Sequence, residues 1–352
     1  MKYKEKTKVE LFRAAILREQ NPALKLSLVE LYRRDPLPGE VEVRMISAGL
    51  CGAQVNEILG KKGPDKFLPH LMGHEGYGEV IAVGEGVSTV SVGDHVVLHW
   101  RKGAGRDLPG IGLNSSQHEK IGGGPVTTFS EYTYVSENRC TSVPDDIDLR
   151  SIYPLLGCAL PTAFGAISRE ARVGPEDKVV IIGCGGLGAA LAFWCDLLRV
   201  RSITIVDVHP EKAEVARDFG ASYLSKNELL DSDESYDVVF ETTGSTEMIE
   251  SAFDVLAKAG RLCLIGQPKL GESVTLRNFL KVYDGIRLFP SMGGGFSPEN
   301  EMQNLVELLI NNKGKASKLI SHKINIDQIN DGFQKMKEAD CRRVILEFDH
   351  AG

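Results

Sequence analysis

Two groups of residues in this chain could carry chemistry, one suited to a metal and one suited to phosphate. Cys51 follows an alternating apolar and polar stretch, His74 lies in Gly73-His74-Glu75, and Cys158 lies in Gly157-Cys158-Ala159. Thiolate and imidazole suit zinc, and three protein ligands leave a fourth position open for water or substrate, as catalytic zinc requires. The three are far apart in sequence and form a site only if the fold converges on them. Taken singly, Cys158 reads first as a small buried hydrophobe, since free cysteine is commonly buried.

The second group is Val180-Ile181-Ile182-Gly183-Cys184-Gly185-Gly186-Leu187-Gly188. The run Lys178 to Ile182 is β-branched, whereas Leu187, Leu191, Trp194 and Leu198 recur at helical spacing, so a strand feeds a helix through a G-x-G-x-x-G turn. Gly183 allows the tight turn, Gly185 lets the backbone approach a pyrophosphate, and Gly188 lets the helix pack on the strand. Gly186 and Leu187 begin the helix, where free N–H groups receive phosphate. Glycine supplies 37 of 352 residues, so the motif gains weight only from its context. A second β-branched run, Ser202 to Val206, ends in Asp207, nineteen residues beyond Gly188. A carboxylate there accepts hydrogen bonds from ribose hydroxyls and repels a 2′-phosphate, with no arginine at 208 or 209 to offset it, which favours NAD over NADP. An aspartate there also suits a cap for a helix starting near Pro210.

These residues need elements to hold them. Phe12 to Leu17, Leu26 to Tyr32 and Glu40 to Ile46 read as strands separated by Asn21-Pro22 and Pro36-Leu37-Pro38-Gly39. A helix from Ala53 to Leu59 follows Cys51, and strands Val80 to Val83 and Asp94 to Trp100 follow His74. From Arg101 to Pro125 the composition turns to Gly, Ser, Asn and Pro, a lobe expected to lack a core of its own. Phe129 to Val135 reads as a strand and Ile152 to Ile167 as a helix. From Lys178 strands alternate with helices such as Glu247 to Lys258, which implies a parallel sheet covered on both faces. An amphipathic stretch Glu301 to Asn311, a helix near Ile326 to Lys337 and a strand Arg343 to Phe348 close the chain. The expected division is 1–158 with 296–352 as a β-rich catalytic domain, and 159–295 as the nucleotide domain.

Composition sets the class. With 352 residues and 42% hydrophobic content the chain is globular and large enough for two cores. Its net charge of −7 carries no basic stripe, which argues against nucleic acid as a partner. Seven cysteines without a C-x-x-C pair argue against a disulfide framework and point to a reducing, cytoplasmic setting. Met1 to Lys6 is basic but precedes no apolar targeting core, and no run approaches 18 apolar residues, so no membrane partner is expected.

Together the motifs resemble a zinc-dependent member of the medium-chain dehydrogenase/reductase superfamily, the alcohol and polyol dehydrogenases. The likeness runs from about residue 10 to 348 and rests on Ala48-Gly49-Leu50-Cys51-Gly52, Gly73-His74-Glu75 followed by Gly-x-Gly-x-Val, Val92-Gly93-Asp94-His95-Val96, Gly157-Cys158-Ala159, the glycine turn and Arg343-Val344-Ile345-Leu346. The resemblance implies an α/β protein: a GroES-like β-rich catalytic domain, split in sequence, plus a Rossmann domain with a doubly wound parallel sheet. It places catalytic zinc on Cys51, His74 and Cys158, with Glu75 able to approach or ligate the metal. It assigns Lys212 to the adenosine ribose, Arg343 to the pyrophosphate and Trp100 to the wall of the substrate pocket, where the indole N–H is a donor for a polar substrate. Each of Lys212 and Arg343 also reads as a solvated surface charge, and Trp100 as a packing residue. The implied reaction is hydride transfer between an alcohol polarised by zinc and the nicotinamide of NAD, on a small polar molecule such as a polyol or sugar derivative. A homo-oligomer is also implied.

Departures accompany the likeness. Where many relatives carry a Ser or Thr and a His that pass the alcohol proton outward, this chain has Ala53 and Asn56. Gly52 stands where several relatives have a basic phosphate contact. The lobe after Trp100 lacks the four cysteines of a structural zinc, so one zinc per chain is expected. A zinc-free reductase of the same superfamily and a catalytically silent nucleotide binder are the alternatives. His95, His99 and His118 read as structural or exposed.

Overall fold

The computed structural model describes residues 10–338 and 341–349. Met1 to Lys6, read above as lacking a targeting core, lie outside the described residues.

Six strands form one parallel sheet, in the order Ser222–Ser225, Ser202–Asp207, Lys178–Ile182, Tyr236–Glu241, Leu256–Leu264, Arg287–Pro290. Val179 to Ile182 are all buried because helices cover both faces, which is why that strand reads as a continuous apolar run. The strand order reverses between Lys178–Ile182 and Tyr236–Glu241, and the glycine turn leaves the sheet at this switch point, where doubly wound sheets bind ligands.

A second sheet is built around Glu40–Gly49, which pairs antiparallel with Glu75–Val83, Tyr132–Ser136 and the C-terminal strand Arg343–Glu347. Ile345 faces Gly49 in that register, so the end of the chain closes beside the strand that leads to Cys51. A third sheet joins Leu11–Leu17, Ser27–Tyr32 and His70–Leu71 with a short hairpin, Gly112–Asn114 and Lys120–Gly122. One apolar cluster binds the halves together: Tyr153, Leu155 and Leu160 pack with Leu191, Trp194, Leu305 and Leu309. The Trp194 indole N–H donates to the Leu160 carbonyl at 2.9 Å, which fixes one helix on the other.

Three elements differ from expectation. The stretch Ile152 to Ile167 is not one helix: a 3₁₀ turn Tyr153–Gly157 breaks at Cys158, whose φ −151° and ψ −68° are not helical, and an α-helix Ala159–Gly165 follows. Pro161 sits in that helix's first turn, where its missing N–H has no partner to lose. The glycine-rich lobe contains the hairpin named above, and Ile111, Leu113 and Ile121 bury against Phe12, Ile16, Leu31 and Leu71, so it shares a core with the third sheet. The helix expected over Glu247 to Lys258 ends at Asp254, and Leu256 already belongs to the next strand. Among the described residues no helix is long and apolar enough to cross a membrane.

Candidate metal and dinucleotide site

Three turns converge on one point. Cys51 caps the helix Gly52–Ile58, His74 directly precedes the strand Glu75–Val83, and Cys158 occupies the break before Ala159–Gly165. Ligand atoms of Cys51, His74 and Cys158 all lie within 4.8 Å of one another. Gln54, buried one turn into the helix, accepts the Cys51 N–H at 2.8 Å and places its amide nitrogen 3.2 Å from His74 Nδ1. It thereby ties the imidazole to the turn that carries the first thiol.

The electrostatics suit a cation. The hydrogen bond from Cys158 holds the Cys51 thiol well below the ordinary thiol range, with His74 and Arg343 adding to the effect against burial. The Cys158 thiol rises in turn, because it bonds the Cys51 sulfur and is buried. The two sulfurs thus share one proton, with Cys51 poised as the thiolate, and metal binding would release the proton that Cys158 keeps. Beneath them Glu75 is fully buried and ion-paired to Arg343, and its Oε2 has no hydrogen-bond partner among the described residues. Gly157 allows this arrangement: a Cβ there would lie 2.3 Å from the Leu98 carbonyl oxygen and 2.7 Å from Glu75 Cβ. Glu57, Asp65 and His70 also converge, but His70 is engaged at both nitrogens, by Asp65 and by the Leu71 carbonyl at 2.8 Å each. That pair pins the loop ahead of His74.

The glycine turn is shaped for a close approach. Gly183 has φ +94°, and a Cβ on Gly188 would sit 2.0 Å from the Gly183 carbonyl oxygen. Gly185 opens onto space, with nothing within 4 Å of its Cβ position. The helix Gly186–Leu197 starts there, with Gly186 and Leu187 in its first turn. Asp207, at the tip of the neighbouring strand, accepts the Cys184 N–H at 2.7 Å and the His209 N–H at 3.0 Å, which aims its carboxylate beside the turn. Lys212 is only 5% exposed and donates to the Cys341 carbonyl at 2.7 Å. Arg343 is 4% exposed and lies against Gly186, where a Cβ would meet its Cδ at 2.3 Å. Neither cation is a solvated surface charge. Arg343 touches the glycine turn, Glu75 and the Cys51 environment, so one side chain spans both halves of the site.

A cleft of about 600 Å³ opens beside His74, lined by Trp100, Arg101, Lys102, Pro125, Val126 and Arg139. Trp100 walls the cleft, and its side chain and that of Thr162 lie near enough to Cys158 to offset part of the rise of that thiol. Gln54, Arg101, Lys102 and Arg139 escaped the reading of the sequence. Only the spacing of Gln54, three residues past Cys51 as in a helix capping box, signalled any of them. His99 is buried between the Arg101 carbonyl and Thr141 Oγ1, and burial lowers its pKa to about 4, so it is a neutral structural group.

A six-stranded doubly wound sheet with a glycine turn, joined to a β-rich domain that gathers thiols and an imidazole at the interface, defines an oxidoreductase of the dehydrogenase type. The chain belongs to the zinc-dependent medium-chain dehydrogenase/reductase superfamily. Residues 37–145 match the alcohol dehydrogenase GroES-like domain and residues 186–311 the zinc-binding dehydrogenase domain. It is 30% identical to alcohol dehydrogenase 6 of Peromyscus maniculatus over 96% of this chain and 98% of that protein. It is 28% identical to an S-(hydroxymethyl)glutathione dehydrogenase of Escherichia coli over 93% of this chain and 97% of that protein. Benzyl alcohol dehydrogenase of Acinetobacter calcoaceticus has the same fold, with a TM-score of 0.85 at 23% identity, covering 97% of this chain and all of that one.

Proposed function

We propose that this oxidoreductase is a cytoplasmic, zinc-containing, NAD-dependent dehydrogenase that moves a hydride between NAD(H) and the hydroxyl or carbonyl of a small polar molecule, of the polyol or sugar-derivative kind. The observation that carries the reading is the convergence of Cys51, His74 and Cys158 within 4.8 Å, beside an open cleft. Bound there, zinc supplies a Lewis acid for the substrate oxygen and NAD supplies the hydride acceptor.

The chain's own residues do the rest. Cys51, His74 and Cys158 hold the metal, Gln54 orients His74, and Glu75 keeps a carboxylate within the same pocket. The open space at Gly185 and the N–H groups at Gly186 and Leu187 receive the pyrophosphate, with Arg343 packed alongside. Asp207 takes the ribose hydroxyls and selects against a 2′-phosphate. Lys212, its ammonium on the Cys341 carbonyl, braces the adenosine side. Ala53 cannot relay a proton, so the alcohol proton leaves through Glu75, water or a substrate hydroxyl. Residues 1–158 with 296–352 form the catalytic domain, and 159–295 the nucleotide domain. One zinc per chain suffices, since the lobe after Trp100 has no cysteine cluster. A homo-oligomer through the edge strand Arg287–Pro290 accounts for the exposed Leu280, Tyr283, Leu288 and Met292 near it.

The test is NADH formation from NAD with a panel of small alcohols and polyols, followed by absorbance. Turnover of at least one member, poor with NADP and lost in Cys158→Ser, is expected. Tight NAD binding with no turnover across the panel would instead mark a silent nucleotide binder.

A further inference from the structure

The cleft beside His74 has the wrong charge for a site built around neutral alcohols. In a chain of net charge −7, Arg101, Lys102 and Arg139 all line it. Their anionic partners are few. Lys102 Nζ is 2.6 Å from Asp107 Oδ2, and Arg139 reaches Oδ1 of the same carboxylate at 3.1 Å. Arg101 donates to the main-chain oxygens of Met292 at 2.8 Å and Phe296 at 3.0 Å and, among the described residues, pairs with no carboxylate. Arg139 is 5% exposed, donates through Nη1 to the Trp100 carbonyl, and has a buried Nε without a hydrogen-bond partner, so it adds charge to the wall from behind. Three cations therefore share one carboxylate, and a cleft of one charge sign between low-dielectric walls focuses its field on what enters.

Guanidinium forks and an ammonium together make the donor set that recognises carboxylate or phosphate oxygens. We propose that the substrate bears such an oxyanion: a small alcohol or carbonyl compound with a carboxylate or phosphate group, its anionic end on Arg101 and Lys102 with the buried charge of Arg139 behind them, and its reacting carbon toward His74. This rests on the dehydrogenase reading of the same cleft. The charged end sets which substrates dwell in the cleft, and the Trp100 wall between Arg101 and the thiols limits how they lie.

The experiment compares a neutral polyol, its phosphate ester and a hydroxy acid of the same length, using wild type, Lys102→Gln and Arg101→Gln. Lys102 is 64% exposed, so its replacement preserves the fold. An anionic substrate is expected to lead in kcat/KM. Each variant should raise its KM about tenfold or more, the worth of a charge-assisted hydrogen bond, and cut its lead over the neutral polyol by a like factor. Whichever anionic arm leads identifies the oxyanion. A lead for the neutral polyol that neither variant alters would overturn the proposal and leave the dehydrogenase reading intact. Silence with all three substrates would return the dehydrogenase reading to the wider alcohol panel, and a phosphate titration then decides the anion site alone. Arg101 lies 5.4 Å from the centre of the Trp100 ring, so inorganic phosphate should change the fluorescence of Trp100 saturably, and about tenfold more weakly in Lys102→Gln. A flat titration of wild type in that case ends the proposal.

Discussion

Glu75→Ala should destabilise the protein far more than loss of an ordinary ion pair. Glu75 has 0% and Arg343 4% of its side-chain surface exposed, so the mutation leaves a guanidinium buried without its carboxylate. Deleting one member of a buried pair costs about 3–5 kcal/mol. Cys51 remains as a second anionic neighbour that supports the charge on Arg343, which places the expectation at the lower end, about 3 kcal/mol. The pair Arg201–Glu176 gives the contrast, with 75% and 77% exposed side chains and an expected worth of about 0–1 kcal/mol. With a urea slope of about 3 kcal/mol per molar, Glu75→Ala should lower the unfolding midpoint by about 1 M. Urea titration of metal-free protein by circular dichroism, with Arg201→Ala alongside, measures the difference. The double variant Glu75→Ala, Arg343→Met should recover part of the loss, since it removes the stranded charge. Equal shifts in Glu75→Ala and Arg201→Ala would refute the reasoning.

Three further outcomes follow from the same structure. His99 has a folded pKa of about 4, so between that value and the unfolded value of about 6.5 the unfolded chain binds the extra proton; the contribution is fully present above about pH 6.5 and falls by about 1.4 kcal/mol per pH unit on acidification. His99→Gln should flatten the acid limb of a stability series by that slope, and an unchanged limb would contradict the burial argument. Asp207→Ala should weaken NADH binding by about tenfold or more while sparing NADPH, as fluorescence titration would show; equal losses for both would mean that Asp207 only shapes the turn. Leu280→Asp with Tyr283→Asp should lower the mass seen by light scattering, because both side chains are largely exposed beside the sheet edge. An unchanged mass would place any interface elsewhere.

The nucleotide half was the more legible half in the sequence, because its signals are local. A β-branched strand, a glycine turn and an aspartate at a fixed distance sit within thirty residues or so, and each states its own geometry. The strands around Cys51 and His74 were likewise visible in their alternation. What stayed hidden depends on long-range packing. The break at Cys158 looked like continuous helix, because Ala and Leu favour one and nothing nearby revealed that the thiol must turn toward Cys51. The hairpin in the lobe was masked by short strands, whose Ile111, Leu113 and Ile121 make sense only against a sheet formed a hundred residues earlier. Arg343 read as easily as a surface charge as a buried one; only its pairing with Glu75, across the whole length of the chain, decides it. The cationic wall of the cleft was invisible for the same reason, since Arg101, Lys102 and Arg139 gather through the fold and not through any motif.

Zinc content is the measurement that bears most directly on the proposed site. Wild type and Cys158→Ser, each dialysed against EDTA, would be compared by elemental mass spectrometry, with circular dichroism to show that both are folded. One zinc per chain in the wild type, lost in the variant, is the expected result. A folded wild type without zinc would contradict the assignment of Cys51, His74 and Cys158 as ligands, and two zinc ions would contradict the single-site assignment.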